Sequence, residues 1–217
     1  MGAFAFPASL DLTGTRCVVI GVMPVREGKV EALLAGGATD VCVIAEEPAS
    51  LLNVLAGHDR VSVEMRGWKE EDLDGAFLAV AHDPDAAERA RIAAAARERH
   101  VLVNLVDDIE ASDWAWPAVV RRGRLVLAAG TGGASPALAR RVRQRLNDQY
   151  GEEWGELTEI LADVRERTKE SLPDLRERMR LWREALDLTE AETMVREGRG
   201  EELRQLLSAR LVGKAPR

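Results

Sequence analysis

The segment 16–45 restricts the possible folds more than any other part of the chain. Residues 16–22, Arg-Cys-Val-Val-Ile-Gly-Val, are a short β-branched run that reaches a glycine, and they read as a buried strand. Residues 26–36 place Val30, Leu33 and Leu34 on one helical face, and Gly36-Gly37 ends that helix. Residues 41–45, Val-Cys-Val-Ile-Ala, form a second buried strand. Strand, helix and strand within about 30 residues is the length of a βαβ unit. Residues 60–65, 76–81 and 101–106 read as three further strands, and the Ala/Arg/Glu-rich stretch 84–99 has strong helix propensity. The alternation predicts an α/β domain: a parallel sheet with helices on its faces.

After residue 107 the pattern changes. Residues 113–128 read as two short strands around Arg122-Gly123, a hairpin. A Gly/Thr/Ser-rich turn, 130–136, leads into a basic helix over 136–149. From 152 onward the chain is helical in propensity, with breaks at Ser171-Leu172-Pro173 and near 198–200. Trp154 and Trp182 read as packing anchors between those helices. No internal repeat is present.

Of 217 residues 46% are hydrophobic and 31% charged, so a packed core is expected. The formal net charge of -7 and pI near 5.2 give no whole-molecule attraction for nucleic acid or anionic lipid. No stretch approaches the length of a membrane-spanning helix. The start, MGAFAFPASLDL, lacks the basic and apolar regions of a secretory signal, and Phe6 stands where a myristoylation signal needs Ser or Thr. The expectation is a cytoplasmic protein with neither membrane nor nucleic acid as partner. Cys17 and Cys42 both lie in strands and are expected to be buried, reduced thiols. Together with the scattered His58, His82 and His100 they match no metal-ligand spacing, and no metal site is predicted.

Three segments carry candidate chemistry. The first strand-to-helix turn reads Gly21-Val22-Met23-Pro24-Val25-Arg26. A dinucleotide-binding turn uses three glycines, for the tight turn, for close approach to the pyrophosphate and for helix–strand packing. Only the first is present, with Met23 and Arg26 at the other two places; taken alone, the segment is equally an ordinary strand-to-helix connection. The second is Asn104-Leu105-Val106-Asp107-Asp108, two carboxylates at the carboxyl end of a strand, where open α/β sheets bind ligands. Neighbours on a strand point to opposite faces, so one carboxylate faces a cleft and the other caps the next turn, or both are polar stops. The third is Thr131-Gly132-Gly133-Ala134-Ser135-Pro136, with Ser135 as N-cap and Pro136 at the first helical position. Its amides suit an anion and Arg140 or Arg141 a carboxylate, or it is a well-capped helix and nothing more. His82, at the end of strand 76–81 and before Asp83-Pro84-Asp85, lines the cleft or is structural.

Taken together these residues resemble one family, the precorrin-2 dehydrogenase/sirohydrochlorin ferrochelatase module of sirohaem synthesis, found alone or fused ahead of a methyltransferase. The resemblance is carried by the Leu-Asp-Leu segment with Gly14, the Gly21 turn, Lys29, Ala81-His82-Asp83-Pro84-Asp85, Asn104 to Asp108, Pro117, and Gly132-Gly133-Ala134-Ser135-Pro136-Ala137-Leu138-Ala139-Arg140. It implies a Rossmann-like NAD-binding domain over 1–112, a dimerisation region with strand exchange over 113–150 and a helical C-terminal domain over 151–217. It implies a homodimer that oxidises precorrin-2 to sirohydrochlorin with NAD⁺ and, in many members, inserts Fe²⁺. By resemblance Asp107 is the essential aspartate, a general base. Gly21, Val22, Met23, Pro24, Val25, Ala45, His82 and Asp83 fall to the cofactor. Asn104, Thr131, Gly132, Gly133, Ser135 and Arg140 fall to the tetrapyrrole, whose eight carboxylates call for a basic patch; Arg121, Arg122, Arg124, Arg140, Arg141 and Arg143 are the candidates. The chain departs from the family at Gly21-Val22-Met23, where relatives carry a glycine run, at Gly28-Lys29, usually Arg-Lys, and at His82, usually Thr. The alternatives are a working dehydrogenase, a chelatase or tetrapyrrole-binding dimer without NAD binding, and a structural dimer without ligand.

Overall fold

The computed structural model describes residues 4, 6–26, 28–46, 50–169 and 171–212. The chain divides into two compact units, Met1–Trp116 with Gly132–Ala134, and Pro117–Thr131 with Ser135–Arg217.

The first unit is built on five parallel strands, β1 (Arg16–Ile20), β2 (Asp40–Ile44), β3 (Val61–Glu64), β4 (Ala76–Ala81) and β5 (Leu102–Leu105), in the order β3-β2-β1-β4-β5. The central strands read as unbroken apolar runs because both their faces are covered. Alternate residues serve opposite layers. Cys17, Val19, Val41 and Val43 join Val25, Val30 and Leu33 from helices α1 (Val22–Arg26) and α2 (Lys29–Ala35). Val18, Ile20, Cys42 and Ile44 join Ile92, Ala93, Ala95 and Ala96 from helix α4 (Ala86–Glu98). The two cysteines thus belong to opposite layers, and both are buried free thiols. Burial pushes the Cys17 thiol up, which keeps it protonated and inert.

The helix expected over 26–36 begins later, as α2, and a separate short helix, α1, precedes it. Helix α1 begins directly after Gly21, and Gly28, at φ 72, separates it from α2. A left-handed residue cannot continue a right-handed helix, and glycine accepts that conformation without steric cost. A short helix α3 (Ser50–Leu55) and a 3-10 turn (Glu70–Leu73) were not legible in the apolar pattern. The loop after β3 is clamped by Arg66, which donates to both oxygens of Asp72 at 2.7 and 2.8 Å, while the Lys69 amide donates to the same carboxylate at 2.7 Å. These bonds, the Arg66 guanidinium first, hold the Asp72 carboxyl below its ordinary value. A carboxyl depressed in the folded state stabilises the fold above its unfolded pKa and loses that contribution as pH falls through the folded one. Asp72→Asn should therefore cost about 1–2 kcal/mol at neutral pH. The gap to wild type should close below about pH 4, as followed by denaturant midpoints across pH.

The second unit begins with an antiparallel hairpin, β6 (Ala118–Arg122) and β7 (Leu125–Ala129), turning at Gly123. Helix α5 (Pro136–Gln149) packs on it and starts where the sequence places it, with Ser135 Oγ accepting from the Leu138 amide at 3.2 Å. Four helices follow: α6 (Glu153–Lys169), α7 (Leu175–Ala185), α8 (Leu188–Arg196) and α9 (Gly200–Val212). They enclose a core of Leu157, Ile160, Val164, Leu181, Leu203, Leu207 and Leu211. Trp154 and Trp182 pack at its margin, as anchors should. Asp174 and Asp187 cap α7 and α8 through the amides of Glu177 and Glu190. No fully buried residue occurs in α5, and Leu138 and Val126 are half exposed. Among the described residues no helix is long and apolar enough to cross a membrane.

Candidate active site

From β1 the chain winds through β2 to β3 on one side, then crosses to β4 and β5 on the other. The loops after β1 and β4 therefore diverge, opening a crevice at the carboxyl ends of these neighbours. Gly21 stands there at φ 90, and a Cβ on it would lie 2.5 Å from the His82 carbonyl oxygen. The Gly21 amide donates to Ile44 O at 2.8 Å, the His82 amide to Ile20 O at 3.0 Å and the Val106 amide to Ala81 O at 2.9 Å. These bonds bring Ala45, Gly21, His82 and Val106 side by side along one edge of the sheet, with Asp107 next.

Asp107 occupies the third place of a tight turn that the Asp108 amide closes on Leu105 O at 3.1 Å. Its φ is 63, a left-handed conformation that costs a non-glycine residue about 1 kcal/mol. The loop behind it holds it there. Ser112 Oγ accepts from the Leu105 amide at 2.9 Å and donates to Asp108 O at 2.6 Å, and Asp113 accepts from the Val103 amide at 3.0 Å. Trp114 Nε1 donates to Leu102 O at 3.2 Å. The open side of β5 is thus paired by its own returning loop, which removes an exposed edge and fixes the turn at once. The two adjacent carboxylates divide their roles. Asp108 pairs with Arg89 at 3.2 Å and accepts from the Ala111 amide. Asp107 is exposed, and no hydrogen bond or ion pair reaches its carboxylate among the described residues.

The other predicted residues separate into those that face the crevice and those that support it. Pro24 is buried and has no amide hydrogen to donate, and the Val25 side chain is fully buried in the core against the sheet. Val22 and Met23 open α1, and Met23 is 40% exposed. Ala45 is buried at the end of β2. Asp83 accepts from the Asp85 amide at 2.8 Å, shaping the turn into α4. His82 is half-buried, and its Nδ1 is enclosed without a partner among the described residues. Asn104 is 8% exposed and braces the returning loop, with Nδ2 donating to Trp114 O at 2.9 Å. Asn104→Ala should cost about 1–2 kcal/mol and loosen the loop that carries Asp107, read as a lower denaturation midpoint and altered tryptophan fluorescence. Thr131 Oγ1 accepts from the Ser135 amide at 3.1 Å, and Ser135 is committed to its cap, so both hydroxyls are engaged locally. Gly132 and Gly133 have positive φ, and Gly133 lies against Ile109, two residues beyond Asp107.

The proposed basic patch also divides. Arg122 bonds Tyr150 O and Asn147, and Arg124 pairs with Glu159 at 3.0 Å. Arg121, Arg140, Arg141 and Arg143 carry no ion pair among the described residues. Sequence reading passed over Glu46, an exposed carboxylate directly after β2 and Ala45; an acidic residue at that place was the available signal. Among the described residues no three His, Cys, Asp or Glu gather as a metal site.

The crevice suits a dinucleotide on its own geometry. Gly21 permits a turn that any Cβ would obstruct, and Met23 is unbranched and exposed, free to yield to a phosphate. The buried, unpartnered Nδ1 of His82 marks polar capacity at the same edge.

Residues 8–118 match the family described as "Putative NAD(P)-binding". The chain belongs to this family. A second match, to the sirohaem synthase dimerisation region, covers 153–211, the helices α6 to α9. Siroheme synthase of Methylococcus capsulatus is 33% identical over 93% of this chain and 42% of that protein. Siroheme synthase of Chromobacterium violaceum is 37% identical over 84% of this chain and 38% of that protein. The chain thus spans less than half the length of these curated relatives. Among solved structures, one titled SirC, precorrin-2 dehydrogenase, superposes with a TM-score of 0.69 at 26% identity, covering 93% of this chain and 98% of that one.

Proposed function

We propose that this chain oxidises precorrin-2 to sirohydrochlorin with NAD⁺, a step of sirohaem biosynthesis, and works as a homodimer. The observation that carries this reading is the likeness to a precorrin-2 dehydrogenase over almost that protein's whole length. The oxidation removes a hydride and a proton from the tetrapyrrole, and the nicotinamide, when bound, supplies the hydride acceptor. Val22 and Met23 hold the dinucleotide at the Gly21 turn through their backbone amides, and Ala45 and His82 border it. Asp107, free of partners and fixed in its turn, takes the proton. Gly132-Gly133, in the same unit as Asp107, let the substrate's edge approach the backbone, and Arg121, Arg140, Arg141 and Arg143 suit its carboxylates by charge. The half-exposed Val126 and Leu138 support the segment 113–150 as a contact between copies, with the matched helices 153–211 as the other part of the dimer.

The test is anaerobic turnover of precorrin-2 by the purified protein with NAD⁺. One NADH per sirohydrochlorin is expected. Absence of both turnover and NAD⁺ binding would favour a second reading, which Met23 and Arg26 at glycine places support: a chelatase or tetrapyrrole carrier. Sirohydrochlorin with Fe²⁺ as substrate would then be the assay, with Asp107 receiving one of the two pyrrole protons that the metal displaces and solvent the other.

A further inference from the structure

We infer, on the dehydrogenase reading above, that Arg89 is a positioning residue for the oxidation: it clamps the loop that carries Asp107 to the loop that borders the cofactor. The ends of β4 and β5 are tied by the Val106 amide, which donates to Ala81 O at 2.9 Å. Beyond that bond the chain enters two loops, 82–85 and 107–112. Among the described residues no backbone hydrogen bond joins them. Arg89, in the first half of α4, reaches both. Its Nη1 donates to Asp83 O at 2.9 Å and to Pro84 O at 3.1 Å, and its Nε donates to Asp108 Oδ2 at 3.2 Å.

These partners put the clamp at the two groups that the reaction has to align. Asp83 follows His82, at the border of the cofactor, and Asp108 follows Asp107. Both oxygens of Asp108 are used: Oδ1 accepts from the Ala111 amide at 3.2 Å, inside its own turn, and Oδ2 takes Arg89. The two side chains are 23% and 27% exposed, so the pair is sheltered and keeps its geometry better than a fully solvated one. A planar guanidinium that donates in two directions fixes both the distance and the angle between its partners, which an ammonium cannot do. Hydride acceptor and proton acceptor must stand at set places around one substrate, and a displacement of about 1 Å costs roughly 100-fold in rate. The guanidinium also opposes the negative charge that Asp108 sets beside the base. Arg97, further along α4, is the contrast. It donates to Ala111 O at 3.0 Å and lies 3.6 Å from Asp113, so it holds the same loop without reaching the loop after β4.

The experiment is steady-state turnover of precorrin-2 with NAD⁺ by the full chain, with kcat and KM separated and NAD⁺ affinity read by calorimetry. Wild type is compared with Arg89→Met, Arg89→Lys, Asp108→Asn, the double variant Arg89→Met/Asp108→Asn, and Arg97→Met, each below its unfolding midpoint. Arg89→Met should lower kcat by about 10- to 100-fold, with KM and NAD⁺ affinity within about threefold of wild type. Arg89→Lys keeps the charge but loses the fork, and should lower kcat by about three- to tenfold. The double variant should be no slower than the slower single one, because Arg89 acts through Asp108. Arg97→Met should leave kcat within about threefold. A raised KM at unchanged kcat in the Arg89 variants would overturn the inference, making Arg89 a contact for a substrate carboxylate. Unchanged kcat and KM beside a lowered midpoint would overturn it too, making Arg89 a strut of the fold. Losses that multiply in the double variant would overturn the route through Asp108. If Arg89→Met does not fold, Arg89→Lys against Arg97→Met decides the same question. A wild type without turnover would overturn the dehydrogenase reading and the inference with it.

Discussion

Asp107→Asn should abolish precorrin-2 oxidation while the protein stays at least as stable as wild type. The two effects separate because the turn supplies the conformation and the carboxylate supplies the chemistry. Asp107 is left-handed at φ 63, and asparagine and glycine take that conformation more readily than aspartate. Its carboxylate contributes no bond to the fold among the described residues. Asp107→Gly should therefore gain up to about 1 kcal/mol in unfolding free energy, and Asp107→Asn should gain little or nothing. An amide accepts no proton at neutral pH, so the rate should fall by roughly 100-fold or more. NAD⁺ affinity should be unchanged, because the proposed dinucleotide site is at the Gly21 turn and not at Asp107. Denaturant midpoints, calorimetry with NAD⁺ and the turnover assay read the three quantities separately. Loss of stability in Asp107→Asn would show that the carboxylate holds the turn. Retained turnover would move the base to another residue. Asp108→Asn is the contrast, since its carboxylate pairs with Arg89 and accepts from Ala111, and its loss should lower stability.

The difference between these neighbours marks the limit of what the sequence conveys. The strands near 16–22 and 41–45 were legible because burial on both faces requires continuous β-branched runs. Helix α5 was legible because Ser135 and Pro136 act within one turn of each other. The division of labour between Asp107 and Asp108 was legible as a pair of alternatives. Its outcome is decided by Ser112 and Asp113, which fold back along β5 and which no local pattern couples to the turn. Asn104 carried the same ambiguity, because its partner is a backbone carbonyl ten residues away. Arg122 and Arg124 looked like free cations beside Arg121, yet the start of the helical region claims both. Gly28 interrupts the helix that the apolar face predicts over 26–36, and Asp187 is a plain N-cap signal at the break between α7 and α8.

Gly21→Ala should unfold the crevice itself, and its effect on stability should be the largest of any substitution at the site. The added methyl would lie 2.5 Å from the His82 carbonyl oxygen and 3.5 Å from its carbon. Neither backbone can give way cheaply. Gly21 is tied to β2 through Ile44, and His82 is tied to β1 through Ile20, so separating them breaks the ladder of the two central strands. The residue also sits at φ 90, which alanine adopts only with strain. Strain and overlap together should cost about 3 kcal/mol, with saturable NAD⁺ binding lost. Met23→Gly is the informative partner. Met23 is 40% exposed and belongs to no core cluster, so its removal should cost about 1 kcal/mol, mainly through helix propensity, and should change NAD⁺ affinity by less than about threefold, about 0.6 kcal/mol. A large gain in affinity from Met23→Gly would mean that the methionine obstructs the pyrophosphate, which would make the second glycine of the turn the lost element. Small effects there, beside a severe defect in Gly21→Ala, would mean that one glycine suffices because only one position is closed by backbone.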